Sequence, residues 1–272
     1  MKVLSVTRFA PLFAAAIGMA ACSSDSTTAP QAPQSPDLTS LMGEMSLSNM
    51  SSAAATVAPA AGALLSATPA MTPAACAYSS SAGAFICPAV TVNGLTYTRS
   101  YKLYDAAGHL QSHPDANTAA IETISSVKGT VTVSNSTVAS PSTFTVDRTE
   151  DMTLSGINTG IHVLNGHAAS TLSGTVVTNS NTIYHSTTET EDVSNLVLPK
   201  PKSGKHVPES GTITIDATTK FGPNAQQTIT STVHEVITFI GNDRATITVT
   251  TGFGTFSCTI DFAQPGQRAC SR

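Results

Sequence analysis

What this chain has little of narrows its class first. Tryptophan is absent, aromatic residues make up 5% of the chain and charged residues 11%, and the formal net charge is -4. So thin a basic complement leaves no electrostatic footprint for nucleic acid. The shortage of rings argues against a sugar site built on stacking. The sequence holds no G-x-S-x-G to position a serine nucleophile and no H-E-x-x-H, phosphate loop or dinucleotide fingerprint. These absences point away from an enzyme and imply no cofactor.

A membrane-spanning run is also missing from the start of the chain. Residues 9–21 (FAPLFAAAIGMAA) are uncharged and mostly apolar, and Lys2 and Arg8 precede them. Thirteen residues are too few to cross a bilayer as a helix, which needs about 20. A basic start followed by a short apolar stretch is the layout of an export signal, so residues 1–21 are expected to be cut off.

The cut site carries the one family resemblance in the chain. Met19-Ala20-Ala21-Cys22 resembles the bacterial lipobox, an apolar residue and two small ones before a cysteine. The resemblance implies a bacterial envelope lipoprotein: a diacylglycerol on the Cys22 thiol, cleavage before that residue, and acylation of the new amino terminus. Several acyl chains, at about 0.8 kcal/mol per buried methylene, make such an anchor effectively permanent. Ser23 rather than Asp follows the cysteine, which by similarity to enterobacterial sorting rules implies the outer membrane, facing the periplasm or the cell surface. Residues 22–36 then read as a lipidated cysteine and a tether, since SSDSTTAPQAPQSP has too little apolar surface to offset chain entropy.

With Cys22 set aside, Cys76, Cys87, Cys258 and Cys270 remain, an even number for an oxidising compartment. Four cysteines allow three pairings, and the short separations favour Cys76 with Cys87 and Cys258 with Cys270. A four-cysteine zinc site is the competing arrangement, but no C-x-x-C spacing supports it.

Residues 37–75 form an Ala- and Met-rich segment. Leu38, Leu41, Met42 and Met45 fall at helical spacing after Asp37, which predicts a short amphipathic helix; Pro59, Pro69 and Pro73 interrupt the remainder of the segment. From Cys76 to Arg272 the period becomes two. Runs at 84–92 and 95–104 flank Asn93-Gly94, a strong hairpin signal. Further strands are expected near 118–134, 143–155, 160–177, 182–198, 211–218, 227–240 and 244–261, with 109–116 a loop. Ile213 and Ile215 alternate with Thr212 and Thr214, and Ile229, Val233, Ile237 and Phe239 with Thr230, Thr232, His234 and Thr238. One face is apolar and one hydroxylated, as in an antiparallel sheet solvated on one side. The expected fold is mainly β: an antiparallel meander of about eight to ten long strands, as a curved open sheet or partial barrel, with a sandwich as the alternative.

Three groups of residues have chemistry to offer. Asp105, His109, His113 and Asp115 are the densest set of metal-ligand types, but Gly108 and Pro114 place them in a loop, where a polar connection is the plainer reading. Asp147, Arg148, Glu150 and Asp151, with Glu189, Glu191 and Asp192, are potential paired carboxylates; alternation puts Glu189 and Glu191 on one face, read as exposed. Lys200, Lys202, Lys205 and His206 sit in a Pro-rich connection able to touch anionic headgroups, lipopolysaccharide or peptidoglycan, although three lysines are few for such a site and a solvated connection is the plainer reading. His185 and His234, within strands, read as solvated surface residues. The sequence thus predicts an anchored, non-enzymatic envelope protein whose sheet binds a partner protein of the envelope or serves a structural role. The alternatives are an apolar ligand such as a lipid held on the curved sheet, and a hydrolase using carboxylates or a metal.

Overall fold

The alternation read from the sequence becomes one continuous sheet. The computed structural model describes residues 75–133, 142–177, 181–198, 207–263 and 268–271. The expected helix, the tether and the lysine cluster lie outside them. The strands are β1 (Ala77–Ser79), β2 (Ala84–Ile86), β3 (Val90–Val92), β4 (Leu95–Asp105), β5 (Leu110–Gln111), β6 (Thr118–Val133) and β7 (Ser142–Ser155). They continue as β8 (Val163–Val177), β9 (Thr182–Val197), β10 (Ser210–Asn224), β11 (Gln227–Gly241), β12 (Arg244–Thr251), β13 (Gly254–Asp261) and β14 (Arg268–Ser271). Each pairs antiparallel with its neighbours in the order β1, β2, β4, then β6 through β14, with β3 and β5 also on β4. Strands β1 and β14 end this path without pairing with each other, so the sheet is open.

Among the described residues fourteen strands replace the expected eight to ten, and the excess comes from short ones, β1, β2, β3, β5 and β14. The run at 84–92 splits into β2 and β3 around Pro88, which has no N–H for a ladder. The loop at 109–116 contributes β5. The run at 244–261 is a hairpin, turned at Gly252-Phe253, and β10 runs on to Asn224 rather than ending near 218.

The tight turns follow residue type. Asn93 and Gly94 take φ of 52° and 83°, and Asn242 and Asp243 take 54° and 56°, the left-handed pair a two-residue hairpin needs. Gly129 has φ 148°, and a Cβ there would lie 2.0 Å from the Gly94 carbonyl oxygen, so only glycine lets β6 approach that turn. Thr130 N–H donates to the same oxygen at 3.2 Å.

On the apolar face two clusters form. One joins Leu103, Ile121, Met152, Leu154, Leu164, Val193 and Leu196, with Phe85 stacked on Tyr101 at 4.6 Å between centroids. The other joins Leu95, Tyr97, Val131, Phe144, Val146 and Leu172. Each fully buried Leu, Ile or Phe contributes about 1.5–3 kcal/mol. Cys76 and Cys87 lie at disulfide distance beside the first cluster, and Cys258 faces Cys270 likewise across β13 and β14.

Candidate functional site

Between the two apolar clusters lies a band of charge. Strand register places Arg99, Ser125, Glu150, Ala168, Glu191, Ile215 and Glu235 in one row across the apolar face, from β4 to β11. The adjacent row holds Arg148 on β7, Ser170 on β8 and Glu189 on β9. Ala168 and Ser170 are small, so the Arg148 guanidinium crosses β8. Its Nε donates to Glu150 Oε1 at 2.6 Å; Nη1 lies 3.8 Å from Glu189 Oε1 and Nη2 3.5 Å from Glu191 Oε2. Ser125 Oγ–H donates to Glu150 Oε2 at 2.9 Å.

Glu189 and Glu191 are buried, not exposed as their sequence context implied. Removal from water pushes the Glu191 carboxyl up to about 7; Arg148 opposes this, and Glu189 and Glu150 reinforce it. Burial lowers the Arg148 pKa, but the surrounding carboxylates outweigh it and leave the guanidinium above its ordinary value. Burial also raises Glu235, lowers Arg99 and lowers His185. His185 is therefore another correction: it sits on the apolar face opposite Phe221, and its Nδ1 is buried without a hydrogen-bond partner among the described residues. With side chains of Glu189 and Glu191 each 2% exposed, the band is an internal ionic network among the described residues.

The opposite face of the same strands is open. Thr149, Thr190, Asp216, His234 and Thr250 stand in one register row, and Asp147, Thr171, Thr188, Thr218 and Thr232 in the next. Rows on one face repeat about 6.8 Å along a strand, and neighbours across strands about 4.8 Å. Together these side chains line a trough of about 760 Å³ running over β7 to β12. Its lining holds threonine and serine hydroxyls, the exposed Asp147 and Asp216 with the buried Glu189 beneath them, one imidazole, and the apolar Ala169, Ala217 and Val233, with no aromatic ring. His234 Nδ1 is hydrogen-bonded to Asp216 Oδ1 at 2.7 Å, which leaves Nε2 for a ligand. Thr250, next in line, hydrogen-bonds Thr255 at 3.0 Å. His167 and Asp192 form a similar exposed pair at 2.8 Å.

Alternation splits the acidic set accordingly. Asp147, Asp151 and Asp192 belong to the hydroxyl face; Arg148, Glu150, Glu189 and Glu191 belong to the apolar one. The Asp105 to Asp115 group behaves as a loop. Asp105 Oδ1 accepts from Ala107 N–H at 2.9 Å and His109 N–H at 2.8 Å, and Oδ2 meets His109 Nδ1 at 3.0 Å. Asp115 Oδ1 accepts from Asn117 N–H at 2.7 Å and Gln111 Nε2 at 2.9 Å. His113 contacts Ser112 instead. Among the described residues no three His, Cys, Asp or Glu side chains come together as a ligand set.

The trough is hidden in the sequence because a run of alternating threonines reads as solvated strand whether the face is flat or hollow. The signal available is the number of successive strands that carry it. No family model, curated protein or solved structure matches this chain.

Proposed function

We propose that this chain is a lipid-anchored protein of the bacterial envelope, fixed to the outer membrane through Cys22, and that its sheet is a non-enzymatic binding module. The trough over β7 to β12 carries the reading, because a hollow lined by hydroxyls, Asp147, Asp216 and His234 matches an extended polar chain. Such a ligand makes many single hydrogen bonds at the sheet's own spacing and needs no stacking platform. Peptidoglycan, with alternating hydroxyl and amide groups, is the envelope polymer of that chemistry. The two cysteine pairs support an oxidising compartment.

The apolar face favours this over a carrier of apolar ligands. From β4 to β9 it is filled by the chain's own side chains in two clusters and by the Arg148 network, which leaves no room for an acyl chain there. The loop from Asp105 to Asp115 supports a hydrolase poorly, since both carboxylates are engaged by backbone N–H groups.

Co-sedimentation with purified peptidoglycan sacculi tests the reading. The wild-type chain is expected to pellet with sacculi, and Thr188→Val with Thr218→Val, which removes two hydroxyls at constant shape, to bind roughly tenfold more weakly at about 0.5–1.5 kcal/mol per hydrogen bond. An unchanged bound fraction in the double variant would overturn the assignment of the trough.

A further inference from the structure

The trough over β7 to β12 has a direction. Its lining takes two or three residues at matching register from each of six successive strands. The long axis therefore crosses the strands, over about 24 Å from β7 to β12, and the width is two register rows, about 7 Å. An α-helix with its side chains is about 10–12 Å across, so this shape suits one extended chain instead.

Thr171, Thr188, Thr218 and Thr232 are successive cross-strand neighbours on β8 to β11, so a hydroxyl recurs at every strand spacing along the trough. Elsewhere on this face such neighbours satisfy one another: Thr98 bonds Ser126 at 2.8 Å, Thr130 bonds Thr145 at 3.5 Å and Thr248 bonds Ser257 at 3.4 Å. Among the described residues the four threonines of the trough form no such bond with each other. The charged groups there are paired already. Asp147 Oδ2 accepts from Lys128 Nζ at 3.0 Å, and Asp216 Oδ1 lies 2.7 Å from His234 Nδ1. A carboxylate has no hydrogen to give, so Nδ1 is the donor and the neutral imidazole presents Nε2 as an acceptor for a hydroxyl.

We propose that the trough takes the glycan strand of peptidoglycan rather than its peptides, with the sugar chain lying across the β-strands. The proposal rests on the peptidoglycan reading of the trough and names the part that is held. A β-linked pyranose chain advances by close to one strand spacing per sugar, so successive sugars meet successive threonines. A peptide advances about 3.3 Å per residue and falls out of step with them. Its backbone also gains most at a strand edge, where N–H and C=O groups join a ladder. The glycan is neutral between its peptide attachments, which matches a trough whose carboxylates have partners. Hydroxyl contacts without an aromatic platform are weak singly, so several sugars must bind together.

Titration calorimetry of the full chain with N-acetylglucosamine oligomers of two, four and six sugars tests this, because they carry the glycan backbone without peptide. Affinity is expected to rise from two sugars to six. Thr171→Val with Thr232→Val, along the row, should weaken the six-sugar oligomer by about twofold to tenfold per hydroxyl. Thr212→Val with Thr214→Val, on the same face of β10 but outside the trough, should leave it unchanged. Equal losses from the two pairs would overturn the crossing direction. Sacculi that pellet the chain while the six-sugar oligomer fails to bind, or displacement from sacculi by the free stem peptide alone, would overturn the glycan assignment and leave the peptidoglycan reading standing. A chain that binds the oligomer but does not pellet keeps the sugar site and loses peptidoglycan as its source. Neither binding nor pelleting overturns both.

Discussion

Arg148 on β7 and Glu191 on β9 meet across an intervening strand, Nη2 to Oε2 at 3.5 Å, over the small side chains of Ala168 and Ser170. The pair lies between the two apolar clusters, so the row that separates them is charged. A buried ionic group is stabilising only while its partners remain, because each charge left alone keeps its full desolvation penalty.

Arg148→Met is therefore expected to lower stability by about 3–5 kcal/mol, since it strands Glu150, Glu189 and Glu191 in the interior. Adding Glu189→Gln and Glu191→Gln to the same chain should return most of that loss. Urea unfolding followed by circular dichroism measures both, and equal midpoints for the single and triple variants would contradict the network.

Stability should also fall as pH rises through the weakly acidic range. Glu191 has a folded pKa of about 7 against an ordinary value of 4.5. Between those values the folded chain holds a proton that the unfolded chain has lost, so its contribution is complete below about 4.5 and gone above about 7. The difference is about 3 kcal/mol. Glu191→Gln should match wild type near pH 5, exceed it at pH 8 and flatten the profile between. A wild-type profile already flat from pH 5 to 8 would remove the basis for this expectation.

Gly129→Ala should cost more than the usual loss of about 1 kcal/mol for a strained glycine position, because the new Cβ would lie 2.0 Å from a backbone oxygen of the facing turn. Thermal unfolding gives the magnitude. Hydrogen exchange at Thr130, whose amide donates to that oxygen, shows whether the β3–β4 turn has been pushed away.

Replacing Cys258 and Cys270 together by Ser releases a loop of sequence separation 12, worth about 3 kcal/mol in the chain-entropy model. Amide exchange should quicken along β13 and β14 while β6 to β9 keep their protection. Uniform loosening of the whole sheet would mean that the bond supports more than its edge.

Much of the sheet is legible in the sequence because one face is wet. Ile213 and Ile215 between Thr212 and Thr214 announce strand and facing together, and Asn93-Gly94 announces a turn by chemistry that few other residues supply. The hairpin within 244–261 is less legible: Phe253 at the tip is as apolar as a strand residue, and only the flanking glycines mark the turn. The same limit applies to the charged band. Alternation shows that Glu189 and Glu191 share a face, but not which face holds Arg148, because the register between β7 and β9 depends on a third strand. Burial of the two carboxylates follows from that register and from two small residues on β8, neither of which is marked locally.

The unbroken order from β6 to β14 has a consequence for how the chain assembles. Every strand in that stretch pairs with the one made just before it, so closing each contact requires only a short connection to be ordered. Each of these contacts is therefore local along the chain, which is the topology expected to favour fast pairing of neighbouring hairpins. Among the described residues the path ends at β14, a four-residue strand tied to its neighbour through Cys270, and so short an edge offers few open backbone groups for pairing.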